Sequence, residues 1–134
     1  MKFKKLSNFF LLLLFCLNAK AQLVEVNNKL KCNEKLAIIE IEKIYKRVIS
    51  GETIEEIAEQ VSQDPGTFLR GGVIGFVNPL EKYEESFFLA IQNLEIDEIS
   101  KPFKSVFGYH IAKVIMKKSD KMIIQHILIR VYED

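Results

Sequence analysis

Residues 121–134 read KMIIQHILIRVYED, and the reading of this stretch decides the fold. Its run of β-branched and aliphatic residues from Met122 to Val131, with His126 in the middle, predicts a strand. A second such run, FKSVFGYHIAKVIM at residues 103–116, precedes it, and KKSDK lies between the two. Two strands joined by so short a connection make a hairpin. Period two then places His110, Ala112 and Val114 on one face of the first strand and Ile124, His126 and Leu128 on one face of the second. A three-residue loop of Lys118, Ser119 and Asp120 sets Ala112 opposite His126 and His110 opposite Leu128. The chain's two histidines become diagonal neighbours, with backbones about 7 to 8 Å apart.

Upstream of the hairpin, element types alternate. From Asn33 to Ser50 the apolar residues Leu36, Ile38, Ile39, Ile41, Ile44, Tyr45 and Val48 recur with mostly helical spacing, and Gly51 stands where such a helix stops. Thr53 with Glu56 matches a capping box and opens a second helix, TIEEIAEQVS, whose stripe is Ile54, Ile57, Ala58 and Val61. DPG and RGG then supply a loop, VIGFV (73–77) reads as a strand, and Asn78-Pro79 predicts a helix start running to about Leu94. QLVEV (22–26) reads as an edge strand or a tether. The fold class is α+β.

The first 21 residues read as a targeting segment. MKFKK is a basic start, FFLLLLFCL is a short apolar core, and AKA is a small-x-small cleavage pattern, so maturation is expected near Gln22. The apolar run from Phe9 to Leu17 is far short of the roughly 20 residues that span a bilayer, which favours export over stable membrane insertion. Lipidation at Cys16 is disfavoured by the bulky Phe15 before it. Removing residues 1–21 takes 19 basic residues to 15 against 18 acidic ones, a net charge of −3. That sign argues against nucleic acid or an anionic membrane as partner. Cys32 alone survives cleavage, which leaves no intramolecular disulfide, and it reads as a small half-buried residue near a helix start. Two histidines without a cysteine or carboxylate cluster do not make a zinc site. Gly71, Gly72 and Gly75 lack the lysine and helix start of a phosphate loop. No metal or cofactor is expected.

The loop SQDPGTFLRGGVIGF (62–76) and the later EISKPFKSVFGYHIAKV (98–114) resemble the parvulin family of peptidyl-prolyl isomerases. Members carry an S-x-D-P-G-S…GGxLG-F loop and an EIS-x-P-x-x-T-x-F-G-Y-H-I-x-K-V ending, and GETIEEIA is similar to the family's second helix. The likeness covers about residues 33–115. It implies a four-stranded antiparallel sheet surrounded by helices. A parvulin ordinarily opens with a strand of the form R-H-I-L-V, and here that pattern occurs as QHILIR, after the helices. In the family fold the first and last strands are central antiparallel neighbours, so a hairpin suffices to join them. We therefore expect a circularly permuted parvulin domain over residues 22–134, with the first-strand equivalent at 122–131. A strand swapped into a second molecule, and a shortened tandem protein, are the alternatives. A monomer is expected, with a swapped dimer under the second reading.

Site residues follow from the resemblance, each beside a plainer reading. A lone histidine on an apolar strand is usually core; His110 and His126 both match motif positions, which favours a shared active-site role. Asp64 holds the family's position beside the reacting bond, although Asp-Pro-Gly is good turn chemistry in itself. Ser105 replaces the family's threonine and would hydrogen-bond the histidine pair. Ile74, Phe87 and Phe107 would line the proline pocket, Phe87 being equally suited to plain helix packing. Tyr83 falls near the family's methionine, in a stretch about one residue longer than usual. The implied activity is peptidyl-prolyl cis-trans isomerisation on unfolded or extended proline-containing polypeptides, assisting the folding of exported, periplasmic proteins. A non-catalytic module holding extended clients is the alternative. Arg130 is the lone basic residue after His126, which argues against phosphate-directed specificity.

Overall fold

The computed structural model describes residues 14–19, 34–77 and 84–132. The expected cleavage site and mature start, the QLVEV segment, Cys32, the helix start at Asn78-Pro79 and Tyr83 lie outside them. Residues 1–31 form one compact unit and Cys32–Asp134 another. In the first, residues 14–19 are helical and exposed. Among the described residues no helix is long and apolar enough to cross a membrane.

In the second unit, α1 runs Glu34–Ile49 and α2 Ile54–Val61. A 3₁₀ turn follows at Phe68–Arg70, then β1 Val73–Val77, α3 Glu85–Ile91, β2 Phe103–Ser105, β3 Gly108–Lys118 and β4 Lys121–Arg130. The sheet is antiparallel with order β1-β4-β3-β2. The strand that comes last in the chain is thus central, and it pairs with β1 and β3 of its own chain.

The expected capping box is present: Thr53 accepts from Glu56 N at 3.2 Å while the Glu56 carboxylate bonds back to Thr53. Only part of the α1 stripe is inward. Ala37, Ile41, Ile44 and Val48 are buried, whereas Leu36, Ile38 and Ile39 are exposed. The buried four follow a 4-3-4 spacing, which is one face of a helix, and Leu36, Ile38 and Ile39 fall off it. The described part of the third helix, α3, begins at Glu85 and stops at Ile91, short of Leu94. Its cap is Glu84, which accepts from Ser86 N and Phe87 N.

Alternation along β3 and β4 makes two cores. Odd-numbered Ile111, Ile127 and Ile129 pack under α1 and α2. Even-numbered Ala112, Val114, Met122 and Ile124 pack with Phe87 and Ile91 of α3. The expected single strand over residues 103–116 is two strands, because the chain turns at Val106-Phe107. The expected register is present, Ala112 opposite His126 and His110 opposite Leu128, although the loop is not the expected one. The turn has two residues, Ser119 and Asp120, with Lys118 paired to Lys121, and a bulge between Val114 and Met116 restores the offset. A matching bulge lies between Ile74 and Phe76 on the other flank of β4. An extra residue in each neighbour bends both strands at the level of Ile123 and Ile124.

Candidate functional site

The site begins where β1 stops covering β4. Beyond His126, the β4 edge is taken by the segment after α2: Gln63 N donates to Leu128 O at 2.7 Å, Leu128 N to Ser62 Oγ at 3.2 Å, and Arg130 N to Gln63 Oε1 at 2.7 Å. These bonds deliver the next residue, Asp64, beside His126. The DPGT turn then closes on the Asp64 carboxylate and carbonyl. Gly66 N donates to Oδ1 at 3.1 Å, the Thr67 hydroxyl to Oδ2 at 2.5 Å, and Phe68 N to Asp64 O at 3.0 Å. Gly72 has φ +77, and a Cβ there would lie 2.1 Å from His126 O. Only glycine lets the loop return close enough for His126 N to reach Gly72 O at 2.9 Å.

A continuous polar chain results. Ser105 Oγ lies 2.6 Å from His110 Nε2, His110 Nδ1 lies 3.2 Å from His126 Nδ1, and His126 Nε2 lies 2.9 Å from Asp64 Oδ2 and 3.1 Å from Thr67 Oγ1. The two imidazoles are nearly parallel, at 17°, and both are buried. Phe87 makes T-shaped contacts with both histidines, and Phe103 stacks on His110.

Donor and acceptor roles follow from one end. The hydrogen bond from His126, with those from Thr67 and Gly66, holds the Asp64 carboxyl well below the usual carboxylate range, against the opposing effect of burial. An ionised carboxylate only accepts, so His126 carries its proton on Nε2. With His126 neutral, its Nδ1 accepts, His110 donates from Nδ1, and His110 Nε2 accepts from the Ser105 hydroxyl. Ser105 Oγ in turn accepts from Phe107 N at 3.1 Å. Every link is satisfied with both rings neutral. Burial, then the proximity of His126, push His110 down to about 3. All four ring nitrogens are engaged, which leaves no open ligand set for a metal. Among the described residues no cluster of three metal-ligating side chains occurs.

Above this chain is a cavity of about 240 Å³. The structure brings together Asp64, His110, His126, Ile74, Phe87 and Phe107 around it. Ser105 lies behind, joined through His110 and lining a separate cleft. Thr67, Leu128, Arg130 and Glu84 also line the cavity, and sequence reasoning had assigned them no site role. Arg130 and Leu128 share the even-numbered face with His126, so period two could have found them. Thr67 stands three residues after Asp64, the reach of a turn that bonds to the aspartate side chain. Arg130 is held by Nε to Gln63 O at 2.9 Å and lies over the Phe107 ring.

A family model described as Rotamase, PPIC-type PPIASE domain, matches residues 18–116. It includes Asp64, Ser105 and His110 and ends before β4 and His126. Proteins named Chaperone SurA are similar in sequence. That of Pseudomonas aeruginosa is 38% identical over 86 residues, 64% of this chain and 19% of that protein. That of Nitrosococcus oceani is 32% identical over 93 residues, 67% of this chain and 21% of the relative. The protein of Alkalilimnicola ehrlichii is 40% identical over 78 residues, 58% and 18% of the two chains. The chain thus spans about a fifth of the length of these curated relatives.

Proposed function

The chain belongs to the PPIC-type peptidyl-prolyl isomerase family, the parvulins, and from that premise we propose that it catalyses cis-trans isomerisation of X-Pro bonds in unfolded polypeptides. The observation that carries this reading is the buried Asp64–His126–His110–Ser105 chain under a small apolar cavity. About 240 Å³ is below the usual range of small-molecule pockets and suits a prolyl ring rather than a cofactor.

Rotation about X-Pro crosses a barrier of about 18–20 kcal/mol, because planarity preserves amide resonance, and it needs no nucleophile. Ile74, Phe87, Phe107 and Leu128 hold the ring and remove water from the carbonyl. In the planar amide the oxygen carries resonance-derived negative charge, which the ionised Asp64 opposes. In the twisted state that charge is reduced, so the carboxylate raises the planar ground state more than the transition state. His126 and Thr67 fix Asp64, and His110 and Ser105 fix His126. On this reading Asp64 acts on the bond, while the other polar residues position it.

Residues 1–21 support export to the periplasm with a mature start near Gln22, and the relatives' chaperone name supports clients that are unfolded polypeptides. We further propose that β4 completes its own sheet as a permuted first strand, in a monomer. A protease-coupled assay on a proline tetrapeptide tests the activity. Acceleration that falls at least about tenfold in Asp64→Ala, with the fold intact by circular dichroism, is expected. Retained peptide binding with no acceleration in the unsubstituted protein favours the second reading, a holding module, which the relatives' name also supports.

A further inference from the structure

The two bulges flanking β4 have an effect at the far end of the sheet. In an unbulged ladder Phe76 and Met116 would share the face of Ile74 and Val114, within the α3 core. The extra residues, Gly75 in β1 and Ile115 in β3, place both opposite Ile123 instead. Paired residues across an antiparallel ladder share a face. Phe76, Ile123 and Met116 therefore form an apolar row on the α1/α2 face, beyond the helices that cover Ile111, Ile127 and Ile129. Phe76 is 50% and Met116 45% exposed.

The next row on that face is Lys118 opposite Lys121. Like charges directly opposite one another disfavour the pairing. Lys113 and Lys117 have carboxylate partners in Asp97 and Glu95, whereas no ion pair among the described residues involves Lys118 or Lys121. Lys118, Lys121, Phe76 and the turn residues Ser119 and Asp120 line a cleft of about 330 Å³. Asp120 leaves the cleft one positive charge in excess, which matches a single added carboxylate better than a dense anionic surface.

We propose that this end of the sheet, on the face opposite the proline cavity, docks an extended polypeptide segment bearing an acidic side chain among apolar ones. The acidic group relieves the Lys118–Lys121 repulsion, and its apolar neighbours cover Phe76, Ile123 and Met116. The proposal rests on the reading that this chain engages unfolded polypeptide.

The test uses the full chain with a short proline-free peptide of alternating aspartate, valine and phenylalanine, and a counterpart with lysine for aspartate. Expected are backbone NMR shifts at Phe76, Met116, Lys118 and Lys121, and at least about tenfold tighter binding of the acidic peptide at low salt, weakening as salt rises. The double variant Lys118→Glu/Lys121→Glu loses that preference, while its acceleration of a proline tetrapeptide is unchanged. Equal binding of the two peptides, or shifts confined to the proline cavity, overturns the docking surface and leaves the functional reading standing. No binding of either peptide at any surface likewise overturns the docking surface, whereas it is the absence of tetrapeptide acceleration in the unsubstituted protein that overturns the functional reading. Self-association abolished by Phe76→Ser, or partition onto phosphatidylglycerol vesicles without peptide binding, would assign the patch to a second copy or a membrane and likewise overturn it.

Discussion

Under α1 and α2 the sheet buries Ile111, Ile127 and Ile129 in a cluster whose fully buried members are all aliphatic. The opposite face, at the same level of the same strands, buries Ser105, His110, His126 and Thr67. The buried part of the apolar face is held by non-directional contact and tolerates small shifts, with its polar ties, such as Tyr109 to Glu34, at the exposed margin. The polar face is admissible only because each ring nitrogen has a partner, so its geometry is specified link by link. One central strand serves both: odd residues of β4 supply the first face and even residues the second. The difference teaches that adjacent residues of β4 have separable roles, stability on one side and site geometry on the other.

Removing the strand that both faces share should have the largest effect. A protein ending at Lys118 leaves ladder groups of β1 and β3 unpaired and exposes both cores. That damage exceeds the roughly 5–15 kcal/mol that holds a domain. We expect no cooperative unfolding transition by circular dichroism. A transition at the full-length midpoint would sink the self-completed sheet in favour of a tandem remnant. Folding only as a dimer, with stability rising with concentration, would favour a swapped strand.

Single substitutions sharpen the contrast at smaller scale. Ile127→Ala should cost about 2–5 kcal/mol of stability while leaving turnover per folded molecule near normal. His126→Ala should fold yet lose most turnover. Unfolding midpoints and coupled-assay rates on the same samples decide between this pattern and its reverse, which would erase the division of labour.

The third effect is a pH slope confined to the polar face. His110 lies near 3 in the folded protein, against 6.5 as its ordinary value. Between those values the unfolded chain binds a proton that the folded site refuses. The stability is therefore complete above about 6.5 and declines as pH falls towards 3. Asp64, lowered from 3.8, adds a loss only below that value. Denaturation midpoints from pH 7 to 4 should fall less steeply in His110→Leu than in the unsubstituted protein, and equal slopes would contradict the assignment. The smallest effect belongs to Thr67→Val, which removes one donor to Asp64. About 0.5–1.5 kcal/mol of stability and a modest loss of turnover are expected, with Thr67→Ser restoring both.

Several of these features were readable from residue order. Period two placed the histidines on one face, the Thr53–Glu56 pair announced α2, and DPG announced the turn at Asp64. The hairpin register was right although the turn was not. Ser119 takes φ +54 in a two-residue turn with no glycine or asparagine to signal it, and the compensating bulge at Ile115 has no mark of its own in a run of aliphatics. The break between β2 and β3 was hidden because Val106 and Phe107 suit a strand. The turn is set instead by Phe107 N donating to Ser105 Oγ, a local bond that propensity does not register. Thr67 had a local signal in its spacing to Asp64, but its second contact, His126, lies on a strand some sixty residues away.

The position of β4 in chain order bears on how the molecule is made. During synthesis the two helices, β1, α3, β2 and β3 all leave the ribosome before it, and β1 pairs with no other strand. At roughly 5–20 residues per second, some three to eleven seconds separate the emergence of Val77 from that of Arg130. Throughout that interval β1 has no strand to pair with, and the arrival of β4 completes both cores.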